Sequence, residues 1–254
     1  MRNIAQRHKI ILNELEKKGF VKVQELSKKL NVSEVTIRKD LKELEERRLL
    51  YRNHGSASQL SSLINDRHID EKAKVQVEEK SRIADAANLL LKKNDRIIIA
   101  SGTTLLRFAQ QITFPEPITV ITSSVKVSLT LSYKPNIEVI QLGGSLRQSS
   151  ASVVGPHAEG FLNDLTCNKL FIGADGIDLD FGITTSNLDE AYLNKFMIKA
   201  AQEVIVLADS SKFGKRGFGK ICDMHQIQRI ITDKNAPQNA VAMIREKGIE
   251  VDMV

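Results

Sequence analysis

A repeated pattern of short apolar runs, each followed by a loop of small or polar residues, dominates the chain from residue 96 onward. Five such runs lie at 96–100, 118–122, 137–140, 169–172 and 203–208. Runs of this length, separated by segments long enough for helices, indicate parallel strands joined by crossovers. The carboxyl ends of parallel strands lie at one edge of a sheet, where ligands bind in α/β proteins. The sequence therefore predicts a mostly parallel α/β fold with a ligand site at that edge.

The loop after the first run reads Ser101-Gly102-Thr103-Thr104 and precedes an amphipathic helix that begins near Leu105. A helix that starts in this way offers unpaired N–H groups and the positive end of its dipole to an anion such as a phosphate. A plain helix N-cap has the same local sequence, so both interpretations stay open. The other candidate ligand residues lie in the later loops and are Ser123, Gly143, Gly144, Asp175, Gly176 and Lys212.

The formal net charge of the chain, +6, is confined to its first 58 residues. This segment holds 14 Lys and Arg against 8 Asp and Glu, whereas residues 59–254 hold 23 of each class. A small module with such an excess of cations suits a polyanion, because neutralised phosphates release their counterions. The sequence therefore predicts a basic module that binds nucleic acid, followed by a larger, neutral module with a different ligand.

Three helices and a hairpin account for the basic module. Apolar spacing and the turn residues predict helices over 5–18, 24–30 and 33–47, a short strand over 20–23 and a hairpin over 49–56. Ser33 is the predicted N-cap of the third helix. The hairpin alternates apolar and basic residues, which is typical of a wing that lies against the phosphate backbone.

The third predicted helix has one apolar face and one mixed face. Ile37, Leu41 and Leu44 are spaced i, i+4 and i+7 and form the inward side. The residues predicted to point outward are Val35, Thr36, Lys39 and Lys42, with Arg38 at the flank. An apolar Val and a Thr among cations are typical of a recognition helix that contacts base edges. An exposed helix of a small bundle is the alternative that this pattern leaves open.

Residues Arg7, Ile11 and Leu15 are followed by the motif Ser33-Glu34-Val35-Thr36-Ile37-Arg38-Lys39-Asp40-Leu41. This pattern resembles the winged helix-turn-helix of the DeoR family of bacterial sugar-catabolism regulators. The family wing usually reads H-G-G-A, and this chain has His54-Gly55-Ser56-Ala57. The residues expected to bind double-stranded operator DNA are Arg7, Ser33, Val35, Thr36, Arg38, Lys39, Lys42, Arg52 and His54.

The neutral module carries a second resemblance. Its motifs are Ser101-Gly102-Thr103-Thr104, Leu142-Gly143-Gly144, Gly155-Pro156, Gly173-Ala174-Asp175-Gly176-Ile177 and Asp209-Ser210-Ser211-Lys212-Phe213-Gly214. Their order resembles the DeoR sensor domain, which is similar to ribose-5-phosphate isomerases. Family members usually have Asp before S-G-T-T, where this chain has Ala100. The resemblance implies a homo-oligomer, dimer or tetramer, that represses a sugar-catabolism operon until a phosphorylated sugar binds the C-terminal domain.

The isomerase comparison also argues against catalysis. Aldose–ketose isomerisation needs a carboxylate base and a cation for the enediolate. When the two patterns are laid over each other, Thr185 takes the place of the catalytic Lys and Asn194 that of the Glu. The resemblance therefore implies a sensor and not an enzyme. An isomerase with a DNA-binding appendage is the alternative, and an RNA-binding module is disfavoured because Tyr51 is the only Tyr or Trp before residue 100.

The predicted domains are a winged helix-turn-helix over 1–57, a solvated linker over 58–80 that contains Arg67, and a sensor domain over 81–254. The segment 214–219 has no cofactor motif that follows a strand, and we expect a mobile basic loop there. We expect no structural metal and no cofactor, since two Cys and five scattered His lack ligand spacing. No export signal or membrane span is recognisable, which predicts a cytoplasmic protein.

Overall fold

A computed structural model describes residues 4–18, 20–47, 49–53, 55–59 and 68–254 of the chain. The basic module consists of α1 (Ile4–Lys18), β1 (Phe20–Lys22), α2 (Val23–Leu30), α3 (Glu34–Glu46), β2 (Leu50–Asn53) and β3 (Ser56–Gln59). Its three strands form an antiparallel sheet in the order β1-β3-β2. The predicted three helices, short strand and hairpin are therefore confirmed.

The core of the basic module comes from one face of each helix. Ile11 and Leu15 of α1 pack with Ile37, Leu41 and Leu44 of α3, and all five side chains are buried. The turn between α2 and α3 is made by Asn31 in the left-handed conformation, with φ of 54°. The i, i+4, i+7 pattern of α3 is thus the inward face that the sequence predicted.

A buried ion pair joins α1 to α3. Nε of Arg7 donates to Oδ2 of Asp40 at 2.8 Å, and Nη2 donates to Oδ1 at 2.9 Å. His8 lies 3.4 Å from the same carboxylate, whose side chain is almost fully buried. The guanidinium of Arg7 thus helps to position the third helix, and its contact with DNA stays a prediction.

The larger module is built around a seven-stranded sheet in the order β15-β14-β12-β9-β4-β5-β6. All six pairings between these strands are parallel. The strands are β4 (Arg96–Ile99), β5 (Ile118–Thr122), β6 (Ile137–Gln141), β9 (Cys167–Gly173), β12 (Ala201–Leu207), β14 (Arg229–Thr232) and β15 (Glu250–Met253). The order along the sheet reverses between β4 and β9, so the crevice between their carboxyl ends is the topological switch point.

Helices and small antiparallel elements complete this module. The helices are α4 (Ile69–Ala73), α5 (Val77–Asn88), α6 (Thr103–Gln111), α7 (Val125–Leu131), α8 (Pro156–Asn163), α9 (Leu188–Lys199) and α10 (Gln238–Glu246). The remaining strands are β7 (Ser145–Arg147), β8 (Ser152–Val154), β10 (Gly176–Asp178), β11 (Gly182–Thr185) and β13 (Gly219–Cys222). The core includes Phe108 and Phe171, whose ring centroids lie 4.6 Å apart.

The segment 214–219 is packed against the β10–β11 hairpin, which corrects the prediction of a mobile loop. The N–H of Gly217 donates to Oγ1 of Thr184 at 2.7 Å, and Nε of Arg216 donates to the buried Asp178 at 2.8 Å. A Cβ at Gly217 would lie 2.4 Å from the carbonyl oxygen of Thr185. This close approach requires glycine at that position.

The described part of the predicted linker, residues 68–80, also differs from the solvated segment that we expected. Ile69 of α4 is buried, and its N–H donates to the carbonyl oxygen of Ser149 at 2.7 Å. Lys80 on α5 is buried as well. Most side chains of this charge-dense stretch are exposed, as expected of a solvated segment, whereas Ile69 and Lys80 are buried. Arg67 lies outside the described residues.

Candidate DNA-binding face and effector site

The exposed face of α3 begins at a well-formed helix start. The N–H of Thr36 donates to Oγ of Ser33 at 3.2 Å, which confirms Ser33 as the N-cap. Val35 is 60% exposed, and Arg38 and Lys39 are exposed beside it. An apolar side chain this open to water gains nothing from the protein's own core. The structure thus brings the predicted outward residues together on one surface.

Ion pairs hold several cations of this face in position. Nη2 of Arg38 lies 2.6 Å from Oε2 of Glu34, and Nζ of Lys42 lies 3.9 Å from Oε1 of Glu46. Such exposed i, i+4 pairs are weak, so a phosphate can replace the carboxylate partner. Lys39 is exposed and forms no ion pair with another residue that the structure describes.

The wing is tied to α3 by one acidic side chain. The N–H of Arg52 donates to Oε1 of Glu45 at 3.0 Å, and Nε of Arg52 lies 3.3 Å from Oε2. The hairpin turn uses Gly55 with φ of 77°, a backbone conformation that favours glycine. Arg52 is therefore held beside α3, and its contact with DNA stays a prediction. His54 lies outside the described residues.

The candidate effector site lies in the α/β module, where the loop after β4 meets the crevice at the switch point. Gly102 precedes α6 with φ of 140° and offers no side chain to cap the first turn. The first N–H groups of α6 are therefore available to an anion. Ser101 and Thr103 are partly exposed beside them, whereas Thr104 is buried. The neighbouring loop after β9 lies close, because a Cβ at Gly173 would be 3.7 Å from the carbonyl oxygen of Ser101.

A carboxylate at the end of β9 is surrounded by cations. Nζ of Lys72 on α4 donates to Oδ1 of Asp175 at 2.9 Å, while the N–H of Ser186 donates to Oδ2 at 3.1 Å. Burial by itself raises the pKa of Asp175, but the nearby ammonium groups of Lys72 and Lys212 outweigh it and hold the pKa below its usual value. Asp175 is therefore ionised at neutral pH, and the stability that its pairing contributes is lost only in acid.

Lys80 and Lys212 bring two further charges to the same edge. Burial lowers the pKa of Lys80, Asp209 opposes the shift, and the like charges of Lys212 and Lys72 add to it. Nζ of Lys80 donates to the carbonyl oxygen of Lys72 at 2.6 Å, so it also secures the end of α4. Lys212 lies in a 3-10 turn that Asp209 caps by accepting from the N–H of Ser211 at 3.0 Å.

Sequence reasoning missed Lys72, Lys80 and Asp209. The two lysines lie in the stretch that was assigned to a solvated linker, and no periodicity distinguishes them from other surface lysines of that stretch. Only the docking of α4 beside Asp175 brings them to the sheet edge. Asp209 was available as a signal, because it precedes Lys212 in a predicted strand-end loop.

A second acidic side chain extends the site away from α6. Oγ1 of Thr185 donates to Oδ2 of Asp175 at 3.2 Å and lies 3.4 Å from Oε2 of Glu190. Nη1 of Arg147 lies 3.3 Å from Oε1 of Glu190, and Oγ of Ser152 donates to the same oxygen at 3.3 Å. The result is a continuous row of polar groups from α4 to the β7–β8 hairpin.

Several predicted effector residues have structural positions instead. Ser123 is buried and its carbonyl oxygen accepts from Val153, while Gly176 is covered by Lys215, whose carbonyl oxygen would lie 2.4 Å from an added Cβ. Both residues are therefore packed within the protein, and their role in effector binding stays a prediction. Gly143 and Gly144 are exposed in the loop after β6. The sequence shows which loops follow a strand, but it does not show which of these loops face the crevice.

Neither a metal site nor a membrane-spanning helix is found in the part of the chain that the structure describes. Among those residues no group of three or more His, Cys, Asp or Glu side chains is arranged to hold a metal ion. None of the described helices is long and apolar enough to cross a membrane.

Comparison with known proteins divides the chain as its charge does. Residues 7–62 match the DeoR-like helix-turn-helix domain, and residues 75–234 match the DeoR C terminal sensor domain. The chain belongs to the DeoR family of transcriptional regulators. The family resemblance that the sequence motifs predicted is therefore confirmed.

Similar proteins of the DeoR family span nearly the whole chain. An uncharacterized HTH-type transcriptional regulator of Bacillus subtilis, YulB, is 37% identical over 251 residues, covering 99% of this chain and 97% of its own. A putative aga operon transcriptional repressor of Escherichia coli O157:H7 is 34% identical, covering 98% of this chain and 94% of its own. These relatives are named as regulators, in agreement with the prediction that this DeoR protein is not an enzyme.

The sensor domain of this DeoR protein also resembles solved isomerases in fold. Ribose 5-phosphate isomerase A of Methanocaldococcus jannaschii is 18% identical, with a TM-score of 0.40 over 53% of each chain. The predicted order of a winged helix-turn-helix followed by a mostly parallel α/β domain is confirmed by the strands and helices of this chain and by the match to the helix-turn-helix family. Thr185 and Asn194 are buried on β11 and α9.

Proposed function

We propose that this protein represses a sugar-catabolism operon and leaves its operator when a phosphorylated sugar binds at the carboxyl edge of the sheet. The observation that carries this proposal is the ion pair of Lys72 with Asp175 in the loop after β9, because the end of that strand, at Gly173, lies close to Ser101 before the uncapped N-terminus of α6. Cations and free N–H groups together are the recognised chemistry of a phosphate site. The name of the E. coli relative, an aga operon repressor, supports a sugar operon as the target.

The row of polar groups beyond Asp175 suits the rest of such a ligand. Asp175, Thr185 and Glu190 supply acceptors, and Arg147 supplies donors, so hydroxyl groups of a sugar find partners of both kinds. We assign the phosphate to Ser101, Gly102, Thr103 and Lys212 and the sugar to the Asp175–Glu190 side. With Thr185 and Asn194 in place of the Lys and Glu, the site binds its ligand without turning it over.

We assign DNA binding to residues 1–57 and effector binding to residues 81–254, in a homo-oligomer acting in the cytoplasm. The described segment 68–80 belongs to the effector site through Lys72 and Lys80. This segment is also the part of the α/β module nearest in sequence to the winged module. Ligand binding at Lys72 therefore acts on α4, and a ligand that prefers one position of α4 shifts the equilibrium between DNA-competent and released states.

Fluorescence anisotropy tests the proposed release. Labelled duplex DNA from upstream of the protein's own operon is bound by the purified chain, and sugar phosphates are then added singly beside the same sugars without phosphate. We expect one or a few sugar phosphates to lower the operator affinity at least tenfold and the free sugars to have no effect. If a free sugar lowered the operator affinity as much as its phosphate, the proposed phosphate site would be wrong. If the protein isomerised the ligand at an enzymatic rate, the domain would be an isomerase and not a sensor.

The exposed face of α3 yields a separate prediction on DNA recognition. Lys39→Ala and Arg38→Ala each remove a phosphate-seeking charge, so we expect weaker binding to every sequence and a salt dependence whose slope falls by about 1. Val35→Ala removes a contact suited to a thymine methyl, and we expect about 1 kcal/mol less discrimination at one base pair. Lys247→Ala on the sheet module is the matched control. Unchanged affinity of all three α3 variants, with intact folding, contradicts the assignment of α3 to the groove.

A further inference from the structure

The outer face of α9 carries a stripe of exposed side chains that neither DNA binding nor effector binding uses. Leu188, Tyr192, Lys195 and Lys199 are exposed along it, with Asp189 at its flank. The exposed positions recur every seven residues, because Lys195 follows Leu188 by seven residues and Lys199 follows Tyr192 by seven residues. A seven-residue repeat is the spacing with which two helices pack lengthwise.

Large apolar side chains widen this stripe into a patch. Phe161 on α8, which packs on α9, is 46% exposed, and Phe218 is 56% exposed. Phe218 borders α9, because a Cβ at the next residue, Gly219, would lie 2.8 Å from Cβ of Ala191. Leu188 and Tyr192 thus lie on the outer face of α9, and Phe161 and Phe218 belong to segments that pack against the same helix. Exposed apolar side chains in such number mark an interaction surface.

The charges on the stripe specify what covers it. Asp189 lies at the N-terminal end of α9, and Lys195 and Lys199 lie in its C-terminal half. A second α9 in antiparallel orientation places the acidic end of each helix beside the basic end of the other. A parallel arrangement places lysine against lysine. The antiparallel arrangement also aligns the helix dipoles favourably, and it is the one that a two-fold axis across the helices generates.

We propose that α9 pairs with α9 of a second copy of this chain, in antiparallel orientation, to form a two-fold symmetric dimer. The exposed positions 188, 192, 195 and 199 are symmetric about a point between residues 193 and 194. Leu188 then meets the aliphatic stem of the partner's Lys199, and Tyr192 meets the partner's Lys195. Within one chain Nζ of Lys195 already lies 5.0 Å from the ring centroid of Tyr192, so a cation–π contact is available to both copies.

This inference rests on the proposed function only for the expectation of a homo-oligomer. It adds a physical link to the effector site, because the inward side of the same helix carries Glu190. A shift of α9 on ligand binding therefore reaches the dimer contact directly. The outward side chains of the stripe do not contact the Asp175–Glu190 groups, so their substitution leaves the effector site intact.

Charge reversal with rescue tests the pairing. The full chain is compared by sedimentation velocity as wild type, Asp189→Lys, Lys199→Glu and the double variant. Each single change creates like-charge contacts at two symmetric places, and we expect the dissociation constant of the dimer to rise at least about tenfold. The double variant restores opposite charges, and its dissociation constant returns close to that of the wild type. Leu129→Glu on the exposed face of α7 is the matched control and leaves the assembly unchanged.

Disulfide trapping supplies a second readout that does not depend on affinity. In the Leu188→Cys/Lys199→Cys variant, the two positions of one helix are about 16 Å apart and cannot bond within the chain. Across the proposed dimer they are neighbours, so we expect an oxidised dimer from the double variant and none from either single variant. The native Cys167 and Cys222 are buried and do not interfere.

Failure of this inference is distinguishable from failure of the proposed function. A monomeric wild type, single variants that assemble like the wild type, a double variant without rescue, or no cross-link in the double-cysteine variant each overturns the α9 pairing. Loss of assembly in Leu129→Glu alone assigns the contact to α7 instead. Operator binding and its release by a sugar phosphate are measured independently by anisotropy, so that experiment tests the proposed function whatever the outcome for the α9 pairing.

Discussion

Lys212→Ala is expected to abolish release from the operator while DNA affinity without ligand stays at the wild-type level. The substitution removes an ammonium group that lies near both Asp175 and Lys80 at the open edge of the sheet. Loss of one partner of a desolvated charge pair costs about 3 kcal/mol, which raises the effector dissociation constant by about 100-fold. Calorimetric titration with the active sugar phosphate measures the loss.

Two companion variants separate the charges from the helix terminus. Thr103→Val removes one hydroxyl donor beside the first turn of α6, and we expect about tenfold weaker binding. Lys72→Ala leaves Asp175 without its ion-pair partner, so the site becomes more negative and binds the phosphate poorly. Lys93→Ala, at the opposite end of the sheet beside Glu116, is the matched control and keeps full response. If the Lys212→Ala and Lys93→Ala variants bound the sugar phosphate with equal affinity, the proposed position of the phosphate at this edge of the sheet would be wrong.

Coupling between the two sites is reciprocal in this scheme. If the sugar phosphate lowers operator affinity by some factor, operator DNA lowers sugar-phosphate affinity by the same factor. Titrations of ligand with and without saturating operator therefore check the Lys212 result against the release measured by anisotropy. Different factors in the two directions contradict a two-state equilibrium shared by DNA and effector.

Asp40→Ala is expected to destabilise the winged module by about 3 kcal/mol. The carboxylate of Asp40 is buried, accepts two hydrogen bonds from Arg7 and lies beside His8, so its removal takes away the counter-charge that these bonds give the guanidinium of Arg7. Hydrogen exchange localises the effect: amides of α1 and α3 exchange faster, while those of the seven-stranded sheet keep the wild-type rate. Operator binding falls because α3 loses its anchor to α1.

A paired substitution separates the ion pair from simple packing at Asp40. Arg7→Met combined with Asp40→Leu replaces both charged partners by apolar groups, and we expect it to recover most of the lost stability. Asp223→Ala, which breaks an exposed pair with Lys220, is the control and changes stability by less than about 1 kcal/mol. Recovery of operator binding in the double variant would show that Arg7 positions α3 and does not itself contact DNA.

The sequence by itself determined the elements and the fold class. Ile37, Leu41 and Leu44 mark the inward face of α3 because a helix repeats every 3.6 residues, and that period is readable from the chain. The apolar runs at 97–99 and 170–172 are buried in a parallel sheet, so they stand out as continuous stretches. Periodicity and local turn chemistry depend on neighbours in sequence, and they predicted the helices of the winged module and five of the seven parallel strands, whereas β14 and β15 were not predicted.

The tertiary structure alone decided which side chains meet. Lys72 and Asp175 are 103 positions apart, and their ion pair exists because α4 docks where β9 ends. Arg7 was read as a DNA contact, since nothing in its own helix indicates that a buried Asp40 lies opposite. Ser123 follows a strand as Ser101 does, yet only Ser101 faces the switch point, because that crevice is created by the reversal of strand order between β4 and β9. Contacts between segments distant in sequence follow from packing, and single-chain patterns do not encode them.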